Sequence, residues 1–443
     1  MVQVSFNNGK VVFSGKDEVL ERRDVSYSFN KEEVREVVIN EGIKEIGEFF
    51  FMDYINLTSV TFPNSVIKIS SDAFYNCKKI EEVVLGNKIK DLSFLKDVDS
   101  PLIKKITVSI DNPYIKEEDN VLYSISGKRV LYVTKGVKEV SIKEGVEDIS
   151  ELAFFNCSSL KKVTLPVSLK RILNGAFYKC IKIEEINIPE GVEVIKDGAF
   201  YYCDNIKNFV IPSSLKEIGE NALPFSVEIS NNPSYVKEDG FLFDKTKTVL
   251  LKILDLSKEE VVIPSSVLAI APKAFVGSNV VKVIFNEGLI KICRHAFHDV
   301  KTLCDITLSS TIKEIEGNAF TNCNIANLVI PKGELKDISW GCFSFNENLE
   351  TVNLHSSLIS HISPFAFASC PNLKEIKFNN NINEIERYAF YKCKSLKEVV
   401  LPDSLKILRN NVFDSCSMLE KVGIPENIEV IEEDIFANCP KLF

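Results

Sequence analysis

Residues 385–396 read IERYAFYKCKSL, and this dodecamer decides how the rest of the chain is read. The same template, I-x-x-x-A-F-x-x-C-x-x-L, returns at residues 69–80 (ISSDAFYNCKKI) and 149–160 (ISELAFFNCSSL). A short alternating run follows it, INIP at 186–189 or VVLP at 399–402, and a period of two is the signature of a strand. Two or three residues later the next Ile begins the pattern again.

Working outward, the anchor aromatic recurs at Phe51, Phe74, Phe154, Phe177, Phe200, Phe275, Phe297, Phe320, Phe343, Phe367, Phe390, Phe413 and Phe436, with Leu223 in its place once. Most steps are about 23 residues, within the range of periods that marks solenoids. Amphipathic periodicity, which repeats over two to four residues, cannot produce such spacing. Each unit therefore reads as one coil, whose Leu, Ile, Ala and Phe are buried only by the coils above and below. The expected fold is an α/β repeat solenoid: a right-handed superhelix in which about sixteen short parallel strands form one long sheet. At about 4.8 Å per strand that sheet would be on the order of 75 Å long.

Two stretches break the rhythm, and they resemble each other. Residues 111–123 (DNPYIKEEDNVLY) align without a gap on 231–243 (NNPSYVKEDGFLF), and each runs on into a second apolar segment, 130–133 or 249–253. Asn-Pro with Asp-Asn or Asp-Gly signals turns, so β-hairpin insertions are expected at about 109–136 and 229–256. A shorter version at 2–13 would cap the first coil. The domain reading is one solenoid over 1–443 with an N-terminal cap at 1–30.

The motif A-F-x-x-C, then L-x-x-I-x-I-P, then L-x-x-I resembles the BspA-like leucine-rich repeats, also called the Treponema pallidum class, over nearly all of residues 31–443. That resemblance implies a leucine-rich-repeat fold and a non-catalytic, protein-binding role. It further implies display at the cell surface or secretion, with adhesion to host matrix proteins or other cells. Residues 1–10 lack the basic and apolar regions of a signal peptide, and no 18-residue apolar run occurs, so membrane insertion is not expected. A cytoplasmic location, as an intracellular interaction scaffold, is the alternative, against a secreted chain whose leader has been removed. A chain ending at Phe443, just after the inward-facing Leu442, is expected to have its last coil covered by another molecule or by further sequence.

Composition narrows function further. With 45% hydrophobic and 26% charged residues, the chain can bury a core beneath a charged surface. A net charge of -9 leaves no basic excess for a phosphate backbone, so nucleic acid is excluded as an expected partner. Nine of the 12 cysteines, Cys77, Cys157, Cys180, Cys203, Cys323, Cys370, Cys393, Cys416 and Cys439, share one repeat column that elsewhere holds Tyr54, Ser226, Ser278, Val300 and Asn346. They read as free thiols acting as small apolar side chains. The Cys293-x-His295-x-x-His298 cluster has metal-like residue types, but both histidines occupy variable slots, so no metal is expected. The acidic clusters at 117–119 and 432–434 lack calcium-loop spacing, and no nucleotide, zinc-protease or serine-hydrolase motif occurs. No catalytic residue and no cofactor are expected.

For a protein ligand, the strand residue between two inward positions is the first candidate: Thr61, Val84, Thr164, Asn187, Val210, Thr307, Val329, Asn353, Lys377 and Val400. Such β-branched and small side chains also simply favour exposed strands. The expected binding face is centred on Lys162, Thr164, Glu185, Asn187 and Val210. The second candidate is the ladder Phe155, Tyr178 and Tyr201, whose rings could equally stack coil on coil for stability.

Overall fold

The computed structural model describes residues 2–16, 18–21, 29–96, 103–224, 226–229 and 231–442, divided into the units Met1–Asn232 and Pro233–Phe443. Phe443 and residues 22–28 of the expected N-terminal cap lie outside the described residues.

One coil shows how sequence becomes structure. Strand Lys162–Thr164 buries Val163 between two exposed side chains, and Leu165 and Leu169 turn inward across the bend that follows. A second, two-residue strand, Arg171–Ile172, buries Ile172; Ala176, Phe177, Cys180 and Ile183 then close the coil, each fully buried. Two extended runs per coil give two parallel ladders. In the first unit Glu139–Ser141, Lys162–Thr164 and Glu185–Ile186 pair in register, while Asp148–Ile149, Arg171–Ile172, Val194–Ile195 and Glu217–Ile218 pair in the other ladder. The second unit repeats this with Asn327–Val329, Thr351–Asn353 and Glu375–Lys377 on one side and Asp337–Ile338, His361–Ile362, Glu384–Ile385, Ile407–Leu408 and Val430–Ile431 on the other. The expectation of one long sheet is therefore corrected: the second short extended run, read only as the next Ile, pairs as well, and each ladder is broken into several sheets.

The α component of the expected fold is also corrected. Among the described residues there is no α-helix, only the 3-10 turns Lys31–Glu33 and Ser93–Leu95. The A-F-x-x-C segment, which the α/β reading would make helical, is a stack of turns for two reasons. Its backbone donors reach across to the next coil: Phe154 N–H donates to the Ala176 carbonyl, Phe177 to Ala199, Phe297 to Ala319 and Phe367 to Ala389, each at 2.8 Å. It is also flanked in most coils by left-handed residues, one before the Ala and one two places after the Phe. Examples are Leu152 and Asn156 (φ 56 and 55), His295 and Asp299 (φ 57 and 60), and Tyr388 and Lys392 (φ 58 and 57). A left-handed residue ends a right-handed helix.

Stacking then does the rest. The anchor rings lie nearly parallel from coil to coil, with centroids 4.4 Å apart for Phe154–Phe177, 5.0 Å for Phe177–Phe200, 5.3 Å for Phe320–Phe343 and 5.4 Å for Phe390–Phe413. The cysteine column sits beside them. Cys180 Sγ donates to the Phe154 carbonyl at 3.0 Å, Cys203 to Phe177 at 3.0 Å, Cys393 to Phe367 and Cys416 to Phe390 at 3.2 Å. Asn346, in the same column, donates its amide to the Phe320 carbonyl at 2.9 Å. Where Cys or Asn fills the slot it can donate to the preceding coil, whereas Val300 and Ser278 fill it without such a bond.

The first irregular stretch lies within a coil, between its two ladder strands, and the second has the same strand pattern. In the first unit Lys105–Val108 extends one ladder, Ile115–Glu118 and Val121–Ser124 form an antiparallel pair, and Arg129–Val133 pairs in parallel with Asp148–Ile149 in the other ladder. In the second unit Tyr235–Glu238 and Phe241–Asp244 are antiparallel, and Val249–Ile253 continues into Ala269–Ile270. Asn112 explains the Asn-Pro signal in the first stretch. It is buried, donates to the Gly86 and Ile89 carbonyls at 3.1 and 3.0 Å, and accepts from the Tyr114 and Ile115 N–H groups. At the start, Gln3–Asn7 and Lys10–Ser14 form a hairpin whose second strand pairs in parallel with Glu36–Ile39.

Candidate binding surface

Lys162 and Thr164 project from one strand, and both are exposed. The register sets Lys162 beside Glu185, and the Lys162 ammonium lies 2.8 Å from the Glu185 carboxylate. That hydrogen-bonded pair raises the lysine pKa and lowers the glutamate's. Asn187 follows, exposed, just past the two-residue strand Glu185–Ile186. Val210 is 42% exposed but stands on Phe209–Ile211, which pairs with Val227–Ile229 in a separate sheet. Three of the five expected residues, Lys162, Thr164 and Glu185, thus share one three-stranded sheet; Asn187 lies just past its edge strand, and Val210 stands on another sheet.

The aromatic ladder is real as a stack but is unevenly exposed. Phe155 and Tyr178 lie 5.6 Å apart with planes within 9°, and Tyr178 and Tyr201 are also 5.6 Å apart. Phe155 is only 5% exposed, so of the three rings it presents the least surface. Lys135, itself buried, lays its ammonium 5.7 Å from the Phe155 ring and donates to the Phe155 carbonyl. Tyr202, which the column reading passed over, is 43% exposed and packs on Tyr201 at 4.1 Å. Burial pushes the Tyr178 and Tyr201 phenols up, so both rings are neutral hydrogen-bonding groups at physiological pH.

Sequence reading also missed an aromatic group in the second unit. Trp340, the chain's only tryptophan, is 51% exposed and meets Phe365 edge-on at 6.0 Å; Phe365 stacks on Tyr388 at 5.1 Å, and Tyr388 meets Tyr391 at 5.5 Å. The usable signal was a large aromatic in slots that other coils fill with Asn, Asp or Gly. A cavity of about 640 Å³ in the first unit is lined by Phe49, Asp72, Tyr75, Asp91 and Lys96, and burial pushes the Lys96 amine down. The His295 and His298 rings lie 5.2 Å apart, and among the described residues no group of three or more His, Cys, Asp or Glu could hold a metal ion. Among those residues no helix is long and apolar enough to cross a membrane.

Stacked coils with two parallel ladders and a buried Phe column define a β-solenoid repeat protein. The model of the BspA type leucine rich repeat region matches residues 25–115, 125–236, 268–360 and 336–443, and the chain belongs to that family, a family of non-catalytic repeats. Solved structures with the same kind of repeat include a leucine-rich repeat protein from Eubacterium ventriosum. It is 20% identical, with 96% of this chain and 94% of that one covered, at a TM-score of 0.45. The Treponema pallidum leucine-rich repeat protein is 26% identical, with 47% of this chain and 87% of that one covered, at a TM-score of 0.35. The pneumococcal vaccine antigen PcpA is 17% identical, with 98% and 96% covered, at a TM-score of 0.39. No curated protein matches the chain.

Proposed function

We propose that this chain is a protein-binding repeat protein that works at a cell surface or after secretion, in adhesion to host matrix proteins or to other cells. The observation that carries the reading is the row Lys162, Thr164 and Glu185, exposed on neighbouring rungs of one sheet, with exposed Asn187 directly after the last of them. A stable protein interface takes about 800 Å² from each partner, and repeated rungs supply such area without a pocket. The Lys162–Glu185 pair gives the face an alternating charge that can set the partner's register. Membership of a family that is typically surface-associated supports the location. Val210 flanks this face, and Tyr178, Tyr201 and Tyr202, with Phe155 behind them, form the second-choice surface. The reading includes one solenoid from 1 to 443, with its cap at 1–30 and its hairpin elaborations at about 109–136 and 229–256.

The test is surface plasmon resonance of the full chain on immobilised matrix proteins. Thr164→Arg plus Asn187→Arg is expected to weaken binding at least tenfold, while Tyr178→Ala plus Tyr201→Ala leaves it within about twofold. The reverse pattern would move the site to the rings, and indifference to both would point to the hairpins. No binding, together with a native protein found inside the cell, would replace this reading with that of an intracellular scaffold.

A further inference from the structure

The hairpin at 115–124 interrupts a ladder that would otherwise run on, and the interruption leaves one strand edge without a partner strand among the described residues. Lys105–Val108 is the last strand of the sheet that begins with the N-terminal hairpin, and Glu139–Ser141 is the first strand of the following one. Lys105–Val108 uses alternate residues to bond backwards: Lys105 N–H donates to the Glu81 carbonyl and Ser109 N–H to the Leu85 carbonyl. In a parallel ladder the intervening residues face the next strand. Their counterparts do so in other coils, where Phe62 N–H donates forward to Val84 and Ile142 N–H to Thr164, both at 2.9 Å. Ile106 and Val108 hold that position here, and among the described residues no strand pairs with their side of the sheet. The hairpin is held from its other side, where Lys143 bonds Glu118 at 2.6 Å and lies 4.1 Å over the Tyr123 ring; Ile115–Glu118 comes near Lys105–Val108 without pairing with it. Between the edge and the hairpin is a groove of about 580 Å³ whose lining includes Thr107, Ile115, Lys116 and Glu117. Two isoleucines that also line it are bare to solvent, Ile110 at 98% exposed and Ile125 at 53%.

We propose that this groove accepts an extended segment of a partner protein, which adds to Lys105–Val108 as the missing rung and carries an acidic side chain opposite Lys105. Free N–H and C=O groups in alternation along an edge are satisfied most fully by another strand, which is how β-augmentation works. The charge preference comes from the ladder itself. In this column neighbouring rungs pair Lys10 with Glu36 at 2.8 Å, Lys162 with Glu185 at 2.8 Å and Lys282 with Asp305 at 3.6 Å. Lys105 has Glu82 behind it at 3.9 Å and, among the described residues, no strand ahead. The groove is distinct from the face around Thr164, and its test shares no residue with that one.

The probe is a fluorescein-labelled peptide with the sequence of residues 137–144, VKEVSIKE, whose Glu139 equivalent falls in the Lys105 column. With the full chain we expect saturable fluorescence anisotropy, and at saturation at least tenfold slower hydrogen exchange at the Ile106 and Val108 amides. Val108→Pro removes one outward donor at an edge position that tolerates proline, and should weaken binding at least tenfold. The peptide VKKVSIKE, with lysine in place of that glutamate, should bind several-fold more weakly, with the gap closing at high salt. Absence of saturable binding, or binding that leaves both amides exchanging as before, overturns the proposal even if Val108→Pro fails to fold. Protection of the same amides in a dimer without peptide would assign the edge to a second copy of the chain and overturn the partner segment.

Discussion

The thiol of Cys393 donates to the Phe367 carbonyl at 3.2 Å in a fully buried place, so its removal leaves an acceptor with no partner. Cys393→Ala should cost about 1–3 kcal/mol in urea denaturation, and Cys393→Ser, which keeps a donor, should cost less. An apolar slot would reverse that order. The sequence could not separate the two readings, because Cys is both a small apolar residue and a weak donor, and the column also holds both the donor Asn346 and the apolar Val300. Burial raises the thiol pKa of Cys370 to about 12 and pushes those of Cys180, Cys393 and Cys416 up as well, so thiolate is scarce there at neutral pH. A thiol reagent should therefore label the native chain at no sites other than the half-buried Cys293 and Cys304, and label all 12 cysteines once it is unfolded. Labelling of Cys180 or Cys393 in the native state would contradict this.

At the scale of the element, the strand runs were legible because a period of two needs only the strand's own residues. The turn segment was not. Its geometry is set by bonds from the Phe N–H to the carbonyl of the residue before the next anchor Phe, one coil on, and by left-handed positions whose occupants range from Gly to Tyr. Gly341 holds one of these at φ 57, where an added Cβ would also lie 2.4 Å from Asn318 Oδ1. Gly341→Ala should destabilise the second unit by at least about 1 kcal/mol, measured as a lowered denaturation midpoint. Part of the candidate site was legible for the same reason as the strands: Lys162, Thr164, Glu185 and Asn187 are outward by alternation alone. The burial of Phe155 was not, because the residue that covers it, Lys135, arrives from the preceding coil beyond the hairpin.

At the scale of the molecule, the repeat period was the most legible feature, since it survives any error in a single element. Its energetic meaning is that each coil is stabilised by its neighbours, and Phe177 shows it, being fully buried between Phe154 and Phe200. Phe177→Ala should cost about 3–5 kcal/mol in equilibrium unfolding. A stack of equivalent coils also makes a stronger demand: one whole coil can be removed if the register closes again. Deleting residues 368–390 joins Phe367 directly to Tyr391 and restores the A-F-x-x-C pattern, whereas deleting 368–379 destroys it. The measurement is the urea unfolding curve of both variants beside the intact chain, followed by circular dichroism. Stacked coils require the full-coil deletion to unfold cooperatively from a β-rich state and the half-coil deletion to be unfolded in buffer. Two unfolded variants, or two equally folded ones, would contradict the coil as the unit of this fold.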